Sequence, residues 1–385
     1  MIFGASGLRR RGWADGALIA LFAVLLALPT LDWLAGLDPA PPPFENRRLA
    51  RKPNLFGPAG LGLGHQASLD ALNDYFADHF GFRNSLLAGG QQLRLRLFHD
   101  QGAGVPSVLR GQDGWLFYKG DYMIEQYLDL YPFTPDQLQA WGRLLATRRD
   151  WLAARGIVYL FVIAPDKQDI YPEKLPGWLV SRESKLDQLL AYLHTHSTVP
   201  VLDLRPALLA AKASAPVYLQ NDSHWNALGC LVACQEVVKA LTNQIPGIAP
   251  LRREDFSWTN APATGGDLAR MLAARWPESN YYAFVPEPAT RVPRLEPATT
   301  APGQILIAEN PARQVTALVL HDSFGATWPP FLGCCFQRIE FRWVNNMKPQ
   351  AIMAAKPQVV IDEMLERFVN VNDPAALRTG DGLTP

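Results

Sequence analysis

A serine hydroxyl, an imidazole and a carboxylate together can carry out acyl transfer, and this sequence holds one of each in suitable settings. The apolar run Val315–Leu320 (VTALVL) leads directly into His321-Asp322-Ser323-Phe324-Gly325. A serine at the carboxyl end of a buried parallel strand is exposed where open α/β sheets place their ligands. Backbone N–H groups at the start of a following helix are suited to receive a developing oxyanion. The nucleophile then needs a base. The chain has seven histidines, at 65, 79, 99, 194, 196, 224 and 321. His224 lies in Asn221-Asp222-Ser223-His224-Trp225, and residues two apart on an extended backbone face the same side. Asp222 is therefore placed to orient His224 and stabilise its imidazolium, while His224 deprotonates Ser323. Either segment alone reads equally well as a turn or a helix cap. It is their joint presence at strand and loop edges that favours catalysis.

The surrounding pattern supplies a scaffold. Ile157–Ile163 (IVYLFVI), Val199–Leu202, Val315–Leu320 and Pro357–Ile361 are apolar runs of the kind a sheet covered on both faces requires. Between them, Pro135–Arg155, Ser184–His196 and Trp225–Leu241 read as helices, with Asp222 or Ser223 available to cap the last. Ser68–Phe98 reads as helix broken near Gly81 and Gly89-Gly90, and Val108–Tyr118 as two short strands around a Gln-Asp-Gly turn. Glu363–Val369 opens a last helix, Val369–Pro385 reads as a loose tail, and Phe256–Thr300 as an insertion of loops and short strands. Strands alternating with helices predict an α/β fold with a mainly parallel sheet between helical layers.

The 385 residues include 36 Lys+Arg against 36 Asp+Glu. A zero net charge offers no broad basic footprint, so nucleic acid is not an expected partner. With 48% hydrophobic and 19% charged residues the chain buries a large core. At the N-terminus Arg9, Arg10 and Arg11 precede an apolar run, Ala17–Leu31, that Trp13 and Trp33–Leu37 extend to membrane-spanning length. The positive-inside rule keeps the arginines cytoplasmic and places the chain beyond Leu37 outside. No small-x-small cleavage site stands out, which favours an uncleaved anchor over a signal peptide. The expected organisation is a basic stub and transmembrane anchor over 1–37, a Pro-rich linker over 38–44, a catalytic domain over 45–368 with an insertion at about 256–300, and a tail over 369–385.

The Asp-Ser-His-Trp segment with Leu-Val-Leu-His-Asp-Ser-Phe-Gly resembles the SGNH-hydrolase-like domain of polysaccharide O-acetyltransferases of the alginate O-acetylation AlgJ/AlgX type. Further segments match the family in order: Glu45-Asn46-Arg47, Tyr75–Arg83, Gly111–Tyr118, Ala164–Pro176, Gly265–Leu272 and Lys356–Phe368. The resemblance implies an SGNH-type α/β/α sandwich in which the Asp–His pair precedes the serine. It also implies Ser323 as nucleophile, His224 as base and Asp222 as orienting acid. His321 departs from the general SGNH pattern, which has Gly there. An exopolysaccharide is the implied acceptor, with a membrane-bound O-acyltransferase delivering the acetyl group. The chain is then a single-pass protein of the bacterial inner membrane, its catalytic domain in the periplasm.

Four further residues are candidate substrate contacts: Lys167 after a second strand, Trp225 as a sugar platform, His321 and Arg342. Trp328 and Trp343 share the platform role as candidates. The charges of Glu363, Glu366 and Arg367 suggest a helix-start network. Cys230 and Cys234 share a helix face without a matching ligand cluster, so no metal is expected. No phosphate-cradling loop is present, so no dissociable cofactor is expected. An esterase releasing acetyl groups from a glycan, or a non-catalytic polysaccharide-binding assembly protein, would use the same fold.

Overall fold

In the computed structural model the apolar runs pair into one seven-stranded sheet. Residues 7–38, 49–53, 65–97, 107–181, 183–260, 263–264, 266–272, 277–278, 282–286, 294–296 and 303–383 are described. The linker expected at 38–44 lies, beyond Asp38, outside them, as does Glu45-Asn46-Arg47. Contacts divide the chain into two units, Met1–Asp100 with Arg270–Ala274, and Gln101–Ala269 with Arg275–Pro385.

In the first unit Gly7–Ala35 is one 29-residue helix. Its stretch Trp13–Ala35, 23 residues of mean hydropathy 2.1, is long and apolar enough to cross a membrane. The helix Ser68–Phe98 expected from the sequence is two, His65–His79 and Arg83–Leu97. The break comes at 80–82, where Phe82 has a positive φ of 58°. Gly89 and Gly90 remain inside the second helix.

In the second unit we number the sheet strands along the chain: β1 Val158–Ala164, β2 Val201–Asp203, β3 Arg294–Glu296, β4 Ile305–Glu309, β5 Thr316–His321, β6 Arg338–Trp343 and β7 Val359–Leu365. Their spatial order is β2-β1-β7-β5-β6-β4-β3. The first five are mutually parallel, β4 is antiparallel to β6, and β3 is antiparallel to β4. The segment read as an insertion thus returns a strand, β3, to the sheet edge.

Side-chain alternation assigns each strand two cores. Leu160, Val162, Val319, Ile361 and Leu365 pack on one face with the helix Ala227–Thr242. Tyr159, Phe161, Ile163, Leu318, Leu320 and Met364 pack on the other with the helices Pro135–Ala153 and Lys185–His196. These two helices start as their sequences require. Thr134 with Gln137, and Ser184 with Asp187, form reciprocal capping boxes. The helix Ala227–Thr242 is capped by Asn226, whose side chain accepts from Gly229 N–H. Asp222 and Ser223, expected as its caps, lie upstream of it and bond elsewhere.

The C-terminal stretch is not a loose tail. Pro374–Asp381 is a helix that ends in a buried Asp381. That carboxylate takes Nε and Nη2 of the fully buried Arg148, at 2.8 and 3.0 Å. Arg148 Nη1 donates to Asp362 at 2.7 Å, and Tyr159 donates to the same carboxylate oxygen at 2.6 Å. An arginine with both its carboxylates out of water ties the C-terminus to the middle of the sheet.

Candidate active site

Strand β5 delivers His321-Asp322-Ser323 at its carboxyl end, and β7, its parallel neighbour, delivers Asp362-Glu363. Alternation sends Asp362 to the Arg148 side and Glu363 to the opposite face. Glu363 Oε2 there accepts the N–H groups of Asp322 and Gly325, at 3.0 and 3.2 Å. Asp322 in turn accepts from Phe324 N–H at 2.9 Å and from Leu365 N–H at 2.7 Å. Four backbone donors from the turn and β7 are thus held by two buried carboxyl groups. Burial first, then the charge of Asp322, raises the pKa of Glu363 well above its usual range. Asp322 is raised as well, by burial against its backbone donors. The turn admits no side chain at 325, because a Cβ there would collide with His321 and Glu363.

These bonds correct the expected oxyanion site. The amides beyond Ser323 do not open toward a ligand: Phe324 and Gly325 N–H go to carboxyl groups, and Ala326 N–H goes to Asp322 O. Within residues 322–326 only Ser323 N–H has no acceptor among the described residues. The serine is half-buried.

His224 approaches from the loop before helix Ala227–Thr242. Its ring packs against Phe324, the neighbour of Ser323, with centroids 4.9 Å apart. Asp222 Oδ1 receives both His224 N–H at 3.0 Å and Nδ1 at 2.7 Å. Nε2 is buried and has no hydrogen-bond partner among the described residues. Burial works against the imidazolium, but the hydrogen bond and charge of Asp222, then the charge of Asp267, raise the His224 pKa above 6.5. For Asp222 the desolvation is outweighed by His224 and by backbone donors, so its pKa falls far below the usual carboxylate range. An ionised Asp222 fixing Nδ1–H leaves Nε2 with a lone pair, the arrangement of a general base. In the resting chain no hydrogen bond links Ser323 to Nε2.

The other sequence candidates fall outside direct chemistry. Lys167 is 3% exposed, and its ammonium donates to Leu116 O, Gln220 O and Asp222 O at 2.6, 2.9 and 3.0 Å. Three carbonyls match its three protons, so it ties together the loops around His224 and keeps no donor for a substrate carboxylate. Trp225 is buried against Phe324 and Trp328 and donates Nε1–H to Thr327 Oγ1 at 2.8 Å; it is packing, not a sugar platform. Trp328 is fully buried, while Trp343 keeps some exposure. His321 ends its strand with Nδ1 2.7 Å from Asp322 O, and burial lowers its pKa to about 4. Arg342 is a strand residue ion-paired with Glu340. Glu363, Glu366 and Arg367 do not form one network: Glu363 serves the Ser323 turn, while Arg367 pairs with Asp166 at 3.0 Å over the Tyr118 ring. All four cysteines are buried free thiols.

Sequence reasoning missed Glu363's role and overlooked Asp267. The latter lies at the start of the helix Asp267–Met271, inside the segment read as an insertion. Its only sequence signal is the Gly265-Gly266-Asp267 run. A Cβ at 266 would collide with the carbonyl and side-chain oxygens of Asn221, so glycine there permits the close approach. Among the described residues Asp222, His224 and Asp267 are also the group whose ligand atoms, within 4.8 Å of one another, have metal-like spacing. Those atoms are engaged in the hydrogen bonds between Asp222 and His224 and between Asp267 and Ser223.

Known proteins share this architecture. A family model described as "SGNH hydrolase-like domain, acetyltransferase AlgX" matches residues 108–332. A probable alginate O-acetylase AlgJ of Pseudomonas putida is 26% identical over 294 residues, spanning 71% of this chain and 72% of that protein. Its counterpart from Pseudomonas syringae pv. tomato is 26% identical over 298 residues, with 72% of each chain covered. Among solved structures, Bacillus cereus PatB1 superimposes with a TM-score of 0.52 at 16% identity, over 69% of this chain and 98% of that one. A DHHW family protein from Eubacterium siraeum gives 0.51 at 15% identity, over 72% and 96%. Both likenesses concern the fold.

Proposed function

Since the chain belongs to the SGNH hydrolase-like acetyltransferase family of AlgX, and is thereby an acetyltransferase of the polysaccharide-modifying type, we propose that it acetylates hydroxyl groups of an exopolysaccharide through an acetyl-serine at Ser323. His224 is the general base and Asp222 its orienting acid. The observation that carries this reading is the 2.7 Å bond from His224 Nδ1 to Asp222, on a ring packed against the residue next to Ser323.

In the first half-reaction Ser323 Oγ attacks the carbonyl carbon of the acetyl donor, and its proton passes to Nε2. The bond to the leaving group breaks as that proton is returned to it. In the second, a sugar hydroxyl gives its proton to Nε2 and attacks the acetyl carbon; Ser323 departs and recovers the proton. Asp222 stays ionised throughout and stabilises the imidazolium. Ser323 N–H, the turn amide without an acceptor, is positioned to serve the oxyanion. Catalytic hydrogen bonds often tighten only with substrate bound.

The helix Gly7–Ala35 is read as a single-pass anchor, its arginines cytoplasmic, with residues 38–44 as linker and 45–368 as a periplasmic catalytic domain. A membrane-bound O-acyltransferase is the proposed donor partner. The test is incubation of the full-length protein with an acetyl donor and candidate polysaccharides. Acetyl esters on the polymer, absent with Ser323→Ala, are expected. Acetate release without polymer acetylation would sink the transferase reading in favour of an esterase.

A further inference from the structure

Every residue of Asp222-Ser223-His224 meets one residue from a distant segment, Asp267, through its backbone or its carboxylate. Asp267 N–H donates to Asp222 Oδ2 at 2.9 Å. Asp267 Oδ1 accepts Ser223 N–H at 2.7 Å, and Oδ2 accepts the Ser223 hydroxyl at 2.5 Å. That hydroxyl lies 3.3 Å from His224 Nδ1, and Asp267 Oδ2 itself lies 3.8 Å from Nδ1. Asp267 also accepts Leu268 N–H at 2.7 Å, which holds its carboxylate at the helix start. It is 9% exposed, and Ser223 6%.

This geometry restricts the Asp222–His224 pair twice. Asp222 has a carboxylate free to turn about its Cβ–Cγ bond unless both oxygens are held. His224 holds Oδ1 and the Asp267 amide holds Oδ2. Ser223, between the two functional residues, is buried with an N–H and an O–H, and the Asp267 carboxylate satisfies both. A second negative charge beside Nδ1 also favours the protonated imidazole.

We infer that Asp267 is a positioning residue of the acid–base pair: its carboxylate clamps the 222–224 loop and places a second negative charge beside Nδ1 of His224. The inference rests on the reading of His224 as general base. The titratable and charged groups facing His224 are Asp222 from its own loop, Asp267, Asp322 from the turn after β5, and Arg367 from the helix Glu366–Val371, which acts in the opposite sense to the carboxylates.

The test uses the full-length protein in detergent with p-nitrophenyl acetate as probe. Asp267→Ala leaves Ser223 unsatisfied and is expected to lower kcat by about ten- to a hundredfold with KM within about twofold. Asp267→Asn keeps the shape and loses the charge. It is expected to move the acid limb of kcat/KM down by about half a pH unit or more. The midpoint of the His224 Nδ1–H signal, tracked by NMR with labelled histidine, should fall with it. If Asp267→Ala does not fold, Asp267→Asn and the NMR midpoint decide the matter. A wild-type pH limb and midpoint in Asp267→Asn would overturn the inference. If Ser323→Ala turns over like wild type, the serine mechanism fails instead, and the NMR midpoint still decides the role of Asp267.

Discussion

Glu363 Oε2 takes the backbone N–H groups of Asp322 and Gly325, at 3.0 and 3.2 Å, and so grips the chain on both sides of Ser323. A neighbouring strand therefore shapes the turn that carries the candidate nucleophile, through a group that is nearly all buried. Burial first, then the charge of Asp322, raises its pKa well above the ordinary carboxylate range, which favours the protonated carboxyl.

The folded state binds a proton that the unfolded chain releases above pH 4.5, so Glu363 weakens the fold progressively as pH rises from there. Glu363→Gln keeps the shape and removes that dependence. Urea midpoints between about pH 5 and 9 should fall less with pH in the variant than in wild type. Glu363→Ala, which leaves two buried N–H groups unpaired, should cost about 2–4 kcal/mol near pH 5 and less as the pH rises, because only wild type loses stability with pH.

Lys167 should behave as an architectural cation. Replacing it with Met removes the ammonium that bridges the Leu116, Gln220 and Asp222 carbonyls, at roughly 2–4 kcal/mol of stability. Ester hydrolysis should lose kcat with KM little changed. Lys167→Arg should not rescue it, because a planar fork cannot meet three converging carbonyls. A pure KM effect would return Lys167 to the substrate site.

Arg148 and its two carboxylates predict that the C-terminus is structural. Arg148→Met leaves Asp362 and Asp381 uncompensated and should destabilise by about 3–5 kcal/mol. Deletion of residues 374–385 exposes the arginine and removes one partner, and denaturation should show a loss of similar size. A truncated chain of wild-type stability would show the contact to be idle.

Much of this was legible in the sequence, for physical reasons. Apolar runs such as Ile157–Ile163 announce buried strands whatever their partners, and Asp222, His224 and Ser323 stand in local motifs. The misses are long-range or depend on which neighbour wins. Asp222 and Ser223 looked like caps, but Asn226 sits at the helix start and Asp267, 44 residues beyond Ser223, claims the other two. Val369–Pro385 is poor in large apolar residues, and its anchoring by one arginine 233 positions upstream has no local signature. Trp225 looked like a platform because aromatic type does not report burial.

Activity should require neutral His224. Its pKa is raised above 6.5 by Asp222 and Asp267 against the pull of burial, so kcat/KM should fall as pH drops through a midpoint above 6.5. Asp222→Asn should shift that midpoint down and reduce kcat by about a thousandfold or more. A midpoint below 6.5 in wild type would remove the electrostatic account of the pair.

The most direct test is to trap the acyl-enzyme. Full-length protein is mixed with p-nitrophenyl acetate, quenched in acid and mapped by peptide mass. One acetyl group on Ser323 is predicted in wild type, with none on that peptide in His224→Ala, and no hydrolysis above background in Ser323→Ala. An unmodified Ser323 alongside equal hydrolysis by wild type and Ser323→Ala would contradict the serine mechanism.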